Sequence, residues 1–217
     1  MIKTVFAIAA LCATLPAVAG VNLVMDGSFE AVHQAPGTYG DYTQIPGWIG
    51  SSFDGDKIEV RDNLVGQAED GVNFVELDSV HNSGMSQQVQ TVAGQTYQLS
   101  FWYSNRPQSG TLNGNSHGGV VPTSSNGLTV SYLGSAVTVT ALPANTSANN
   151  EWTLYTTTFV ATGTTLLSFS AVGCSDSYGT SLDNVSITAV PEPASLALMG
   201  AGLALLAGLS SRRKRHS

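Results

Sequence analysis

The amino-acid sequence predicts an all-β fold, a two-sheet sandwich, for residues 20–189. Helical periodicity is nearly absent there, and short apolar, Thr-rich and aromatic runs recur between clusters of Gly, Asn, Ser and Asp. The run Thr96–Ser104 alternates strictly, with aromatic and apolar residues at 97, 99, 101 and 103 on one face. About ten strands at this spacing fit two packed sheets.

The predicted strands are short, and turn residues separate them. Gly134-Ser135 is predicted to form a two-residue turn, and Pro107–Asn126, rich in Gly, Ser and Asn, a long surface loop. The ten predicted strands are Asn22–Met25, Lys57–Arg61, Asn73–Leu77, Met85–Val92, Thr96–Ser104, Leu128–Leu133, Ala136–Leu142, Trp152–Ala161, Thr165–Val172 and Leu182–Ala189.

The first 19 residues have the pattern of a secretory signal peptide. Lys3 precedes an apolar stretch, Val5–Leu15, and Ala17-Val18-Ala19 is a site for signal peptidase. We therefore expect a signal helix at 1–19 and one exported domain at 20–189.

The C-terminal segment has the pattern of a single membrane helix. The apolar run Ala194–Leu209 and the two serines after it would span about 27 Å as a helix, slightly less than a ~30 Å hydrocarbon core. A buried core helix is the alternative, but the basic cluster at 212–215 favours a membrane helix at 194–211 with a cytoplasmic end at 212–217.

The charge of the exported part excludes nucleic-acid binding. It keeps Lys57, Arg61 and Arg106 against fourteen carboxylates, a net charge of −11, whereas phosphate binding requires cations. Solubility and divalent-cation binding are both compatible with this charge. Cys174 is the one cysteine of this part, so no intramolecular disulfide is expected.

The tail, Val190–Ser217, has Pro191, Glu192 and Pro193 at its start and continues with the apolar helix and the basic end. In this order of features it resembles the PEP-CTERM protein-sorting signal of Gram-negative bacteria. The resemblance implies that an exosortase, a membrane transpeptidase, recognises the Pro-Glu-Pro tripeptide. It also implies transient anchoring in the inner membrane, then release or re-anchoring at the cell surface or in the extracellular matrix, often alongside exopolysaccharide production.

Seven segments of the domain occur in an order and spacing that a known group of proteins shares: Asn22–Glu30, Pro46–Trp48, Phe74–Ser79, Met85–Gln88, Tyr97–Tyr103, Ser175–Ser177 with Gly179, and Leu182–Val185. In these segments the domain is similar to galactose-binding-like jelly rolls, a group that includes carbohydrate-binding modules and the DUF642 cell-wall proteins. The resemblance implies a jelly-roll sandwich that binds carbohydrate. It also implies one structural Ca²⁺ between the N-terminal segment and the last strand, with Glu30 and Asp183 as ligands. Alternatively, these carboxylates accept backbone hydrogen bonds at strand ends.

Sugar binding requires aromatic faces with polar neighbours, and the candidates are Trp102, Tyr39, Tyr42 and Arg106. Trp102 lies on the polar face of its alternating strand, although it could equally pack beneath the 107–126 loop. Trp48 is predicted to belong to the core.

Three classes of function remain, and the first is the interpretation we favour. It is an exported surface protein that binds exopolysaccharide or envelope glycan without catalysis. The second is a purely structural matrix protein. The third is a glycan-active enzyme using Glu76 and Asp78, which lie two apart in a strand, although such a pair is more often a solvated or hydrogen-bonded strand face. The Gly-x-Ser-x-Gly match at 114–118 lacks the strand and helix that a nucleophile elbow needs.

Overall fold

A computed structural model describes residues 20–51, 57–107, 126–139, 145, 147–173, 175, 177–191 and 202. The sandwich forms one compact unit, Val21–Val190. The strands of the described part are β1 Tyr39–Tyr42, β2 Gln44–Ile45, β3 Trp48–Gly50, β4 Ile58–Asp62, β5 Asn73–Glu76, β6 Gly84–Val89, β7 Thr96–Asn105, β8 Gly127–Tyr132, β9 Ser135–Val139, β10 Thr153–Val160, β11 Thr165–Val172 and β12 Thr180–Ala189.

The strands form two six-stranded antiparallel sheets, which confirms the predicted all-β, two-sheet jelly-roll sandwich. Sheet I has the order β1-β4-β5-β12-β7-β10, and sheet II has the order β2-β3-β6-β11-β8-β9. Neighbours in each sheet are often distant in sequence, so the chain crosses repeatedly between the sheets. The last strand, β12, lies in the middle of sheet I between β5 and β7.

The core lies between the two sheets and is rich in aromatic rings. Phe101 of sheet I meets Phe169 of sheet II edge-on, with 5.0 Å between ring centroids. Trp48 lies 6.0 Å from both Phe29 and Phe169 and is 1% exposed, which confirms its predicted place in the core. Its indole N–H donates to the backbone oxygen of Asp26, so the polar edge of this ring is also satisfied.

Nine of the ten predicted strands are present, with ends shifted by a few residues. The prediction was wrong for Asn22–Met25, because the Asn22 side chain accepts a hydrogen bond from the Val24 backbone N–H and Asp26 adopts a φ of 49°. Both features favour turns over strands. The β8–β9 turn is Leu133-Gly134, one residue earlier than predicted, and both residues have left-handed φ, as in a type I′ turn.

The N-terminal segment and β12 lie side by side, as the resemblance implied. The Leu23 N–H donates to the Ile187 oxygen, and the Val185 N–H donates to the Gly27 oxygen, both at 2.9 Å. The pairing of β12 with β7 is irregular between Asp183 and Ser186. The N-terminal segment therefore supplies backbone partners at and just beyond the irregular part of the last strand.

In the part of the chain that the structure describes, no helix has both the length and the apolar character needed to cross a bilayer. The predicted signal helix at 1–19 lies outside the described residues. The predicted membrane helix at 194–211 lies outside them too, apart from Gly202, and so does most of the predicted 107–126 loop.

We expect Gly27→Ala to destabilise the fold by about 3 kcal/mol or more. A Cβ at this position would lie 2.0 Å from the Val185 oxygen, at the contact between the N-terminal segment and β12. Chemical denaturation would measure the loss. Gly134→Ala is the matched control, because a Cβ there meets no atom within 4 Å and only its φ of 71° opposes the substitution, at a cost of about 1 kcal/mol. Equal losses in the two variants would contradict the packing explanation.

Candidate functional site

A row of polar side chains crosses the outward face of sheet I. The strand registers place Glu59 opposite Glu76, Glu76 opposite Ser181, and Ser181 opposite Ser104. The residues that alternate with them, such as Val60, belong to the core between the sheets. All four members of the row are nonetheless 5% exposed or less. The outward face of sheet I is therefore covered at this row.

Two arginines bind the carboxylates of this row. The Arg61 guanidinium lies 2.6 Å from Glu59 Oε1 and 2.9 Å from Glu76 Oε2, each measured from Nη2. Arg106 Nη1 lies 3.1 Å from Glu76 Oε1. Because Glu76 has no exposed surface, it requires both cations to offset the cost of burying its charge.

Arg106 is held by several contacts beyond Glu76. Its Nη1 also donates to the Ser177 backbone oxygen, and its guanidinium lies 4.6 Å from the centroid of the Tyr178 ring, within cation–π range. This predicted site residue, which follows β7 directly, therefore joins the ionic cluster Glu59, Arg61, Glu76 and Arg106.

The ionic cluster keeps unused hydrogen-bonding capacity. Among the described residues, Arg61 Nη1, Arg106 Nε and Ser181 Oγ are buried and have no hydrogen-bond partner. Buried polar atoms normally find a partner, either in the protein or in water or a ligand. Because these atoms are buried, an internal water is the partner that would satisfy the two donors and the hydroxyl.

The structure brings three of the four predicted sugar-binding residues to this face. Tyr39 lies opposite Arg61 on edge strand β1 and is 56% exposed. Trp102 lies between Asp183 on β12 and Leu154 on β10, and Leu154 is 48% exposed. Tyr42 does not join them, because it pairs with Ile58 and packs against the core.

Two aromatic residues that the sequence did not single out also lie here. Phe74 pairs with Arg61 on the outward face, yet it is fully buried, because Trp152 packs on it edge-to-face at 5.9 Å. The Trp152 indole donates to the Gln67 oxygen at 3.0 Å. The available signal was the composition of β5, in which consecutive residues Phe74 and Val75 are both apolar, as in strands covered on both faces.

The carboxyl group of Glu59 is electrostatically unusual. Burial raises its pKa from the ordinary 4.5 to about 7, although the neighbouring Arg61 cation acts in the opposite direction. The Glu76 and Asp41 carboxylates add to the increase. Glu59 therefore changes charge near neutral pH.

Glu76 and Asp78, the predicted catalytic alternative, are both fully buried. Glu76 Oε1 accepts the Gly179 N–H and Asp78 Oδ2 accepts the Ser177 N–H, both at 3.0 Å. The two carboxylates therefore hold the segment that leads into β12.

Glu30 and Asp183, the predicted calcium ligands, both hold the segment that leads into β5. Glu30 Oε1 accepts the N–H groups of Val72 and Asn73 at 2.8 and 2.7 Å. Asp183 Oδ2 accepts those of Glu69 and Asp70 at 2.7 and 3.0 Å. These are the contacts of the alternative interpretation, in which the carboxylates accept backbone hydrogen bonds.

The described residues contain no group of three or more His, Cys, Asp or Glu side chains that could hold a metal ion. Glu30 and Asp183 therefore belong to no such group in this part of the chain. Burial raises the pKa of Asp183 to about 7, against the effect of its backbone hydrogen bonds. Calcium binding at these two residues stays a prediction.

Comparison with known proteins identifies the sorting segment. Residues 189–214 match the PEP-CTERM protein-sorting motif, so the chain carries this motif. Pro191, Glu192 and Pro193 fall inside the match, and of these the structure describes Pro191. A search of curated protein sequences finds no match.

Solved structures of similar fold include carbohydrate-binding modules and a glycoside-active enzyme. TmCBM61 in complex with β-1,4-galactotriose is 20% identical, with a TM-score of 0.48, and the match covers 78% of this chain and 99% of that one. The CBM22-1 xylan-binding domain from Paenibacillus barcinonensis Xyn10C is 18% identical, with a TM-score of 0.43 and coverages of 82% and 99%. Arabinose-bound MgGH51 α-L-arabinofuranosidase is 12% identical, with a TM-score of 0.43 and coverages of 79% and 27%.

Glu59 predicts a pH dependence of stability. The folded protein keeps the Glu59 proton up to about pH 7, whereas the unfolded chain loses it near 4.5. The stabilisation from this proton is present below about pH 4.5 and is lost as the pH rises through about 7. Relative to wild type, Glu59→Gln, which cannot ionise, should therefore gain about 1–3 kcal/mol between these pH values. Denaturation across this range measures the gain, with Glu151→Gln at an exposed glutamate as the baseline. A constant difference at all pH values would contradict the prediction.

The calcium prediction is tested by thermal unfolding. Bound Ca²⁺ stabilises only the folded state, so excess CaCl₂ should raise Tm by several degrees and a chelator should lower it. MgCl₂ is the control, because Mg²⁺ demands a smaller octahedral site. The shift should disappear in Glu30→Gln. If neither CaCl₂ nor chelator changes Tm, the calcium prediction is wrong, and Glu30 and Asp183 act only as acceptors of backbone hydrogen bonds.

Proposed function

We propose that this protein is exported, sorted by an exosortase at its C-terminal motif, and delivered to the cell surface or extracellular matrix, where its sandwich binds carbohydrate without catalysis. The observation that carries the binding proposal is the outward face of sheet I. There, a half-buried Trp102 and an exposed Tyr39 lie on the same face as the ionic cluster.

The chemistry of this face suits a sugar. A pyranose ring has apolar C–H faces, which flat aromatic rings cover, and an edge of hydroxyl groups that donate and accept hydrogen bonds. Hydrogen bonds to charged guanidinium and carboxylate groups are stronger than those between neutral groups. The exposed Tyr39 and the half-buried Trp102 offer such aromatic faces, and Arg106, whose side chain is 16% exposed, is the charged group that such a ligand could contact, which supports carbohydrate as the ligand class.

The carboxylates of this face support binding over hydrolysis. Glycoside hydrolysis requires two carboxyl groups that flank a substrate bond. Glu76 and Asp78 are fully buried, and each accepts a backbone N–H from the segment 177–179. A structural role accounts for both.

The distribution of charge supports export and sorting. The tail has four consecutive cations at 212–215, whereas the domain has three cations against fourteen carboxylates. Cations after an apolar helix hold that end in the cytoplasm, and an acidic domain stays soluble once it is delivered. Signal peptidase and exosortase are the processing partners in this proposal, and polysaccharide is the ligand.

We expect Trp102→Ala to weaken carbohydrate binding at least tenfold, which corresponds to about 1.4 kcal/mol, because the ring supplies the apolar contact. A glycan array and co-sedimentation with the organism's own exopolysaccharide identify the ligand, and titration gives the affinities. Trp102→Phe should keep part of the affinity.

Thr158→Ala is the matched control, because Thr158 is exposed and lies opposite Gln98 on the same face of sheet I, distant along the strand from Trp102. It should bind like wild type. If wild type binds nothing on the array or in co-sedimentation, the protein is better described as structural. If Trp102→Ala and Thr158→Ala lose the same amount of binding affinity, the carbohydrate site does not include Trp102.

A further inference from the structure

The outward face of sheet II carries a groove of about 610 Å³, a size typical of ligand sites. Its floor is β6, where Ser86 and Gln88 alternate outward and Gln90 follows the strand. Ile49 of β3 lies opposite Ser86, and Leu166 of β11 lies opposite Gln88. The groove therefore has an amide-lined floor between aliphatic walls.

The rim of the groove is held in place by hydrogen bonds. The buried Gln87 amide accepts the Met25 N–H at 2.7 Å and donates to the Met25 oxygen at 2.9 Å, which fixes the N-terminal segment beside β6. Gly47 has a φ of 80°, and a Cβ there would lie 2.8 Å from Gln87 Nε2 and 2.9 Å from Met25 Cβ. Because only glycine fits this close approach, Gly47 lets the chain pack directly against Gln87 and Met25 at the rim.

The groove contains both exposed apolar surface and free amides. Met25, Ile49 and Leu166 are 62%, 64% and 54% exposed, which is unusual for three large apolar side chains around one groove. The side chains of Gln88 and Gln90 make no hydrogen bond with any described residue. Each amide can donate and accept at once, as a sugar hydroxyl does.

The groove is also uncharged, although the domain around it is strongly acidic. No ionisable side chain is among the described residues that line it, or that line the adjoining depression of about 570 Å³ at Gln44–Ile49. The two depressions adjoin at Gly47 and Ile49, and together we call them the trough. An anionic ligand would find no cation here and would be repelled by the charge of −11, whereas an uncharged ligand avoids both costs.

We propose that this trough is a second ligand site, separate from the face of sheet I, and that it takes an uncharged oligosaccharide. The aliphatic walls contact the C–H faces of the sugar, and Ser86, Gln88 and Gln90 bond its hydroxyl groups. Where the proposed function at sheet I also holds, the domain carries two carbohydrate sites on opposite outward faces.

The test is a binding titration of the full chain with the neutral oligosaccharides that score highest on a glycan array, beginning with β-1,4-galactotriose and xylohexaose as probes. Gln88→Glu changes one exposed amide into a carboxylate and should weaken the sheet II binding event at least tenfold. Gln98→Glu is the matched control, because it makes the same change at an exposed position on sheet I and should bind like wild type. Trp102→Ala separates the two sites, because it should leave the sheet II event intact.

The outcomes distinguish this proposal from the proposed function. If Trp102→Ala abolishes binding and Gln88→Glu leaves it unchanged, the proposal of a second site is wrong and the proposed function at sheet I still holds. Binding that only Gln88→Glu removes supports the second site and overturns the assignment to sheet I. Preferential binding of a trigalacturonate probe overturns the uncharged ligand class. If sedimentation equilibrium shows a dimer that Gln88→Glu dissociates, the trough binds a second copy of the chain. That result overturns the proposal that the trough binds a glycan.

Discussion

The position of Arg61 between two carboxylates is the constraint on which sheet I depends. Glu59 and Glu76 lie directly opposite each other on β4 and β5, and like charges in such a pair are destabilising. Arg61 contacts both, and Arg106 contacts Glu76 from the end of β7. The domain has three Lys and Arg residues, so two of its three cations are used in one buried cluster. Because the domain has so few cations, the pairing of β4 with β5 depends on these two arginines.

Carboxylates that accept backbone hydrogen bonds lie around the last strand. Glu30 and Asp183 hold the segment before β5 through four backbone N–H groups, whereas Glu76 and Asp78 hold the segment before β12. The strand β12 is the last in sequence but lies in the middle of sheet I. The segment that leads into it must therefore be positioned by contacts with residues far away in the sequence. Hydrogen bonds from backbone N–H groups to a carboxylate are strong and provide such contacts, and at Glu76 the two arginines add to them. The acidic composition of the domain is therefore partly structural.

The sequence predicts the sandwich well because alternation is a local signal, and strands such as Thr96–Ser104 show it directly. It misses β1 to β3, because these strands have two to four residues and contain or adjoin Gly, Asp or Pro, which strands disfavour. The site is harder to predict. Trp102 was identified by its position on a polar strand face, but the pairing of Arg61 with Glu76 and the cover of Phe74 by Trp152 depend on register between distant strands. Tyr42 was predicted to bind sugar but packs against the core, because the pairing of β1 with β4 places it opposite Ile58.

The two outward faces of the sandwich differ in chemistry, and this difference has a consequence for the proposed binding of polysaccharide. Sheet I has aromatic rings beside a largely buried ionic cluster, whereas sheet II has exposed amides and aliphatic side chains. Because the core of the sandwich separates the two faces, one short rigid ligand cannot occupy both. Two sites of this kind would bridge separate chains, or distant segments of one chain, and bridging raises avidity through effective concentration without any new contact. A small domain that binds weakly at each face would thereby hold a polysaccharide network more firmly than either site alone.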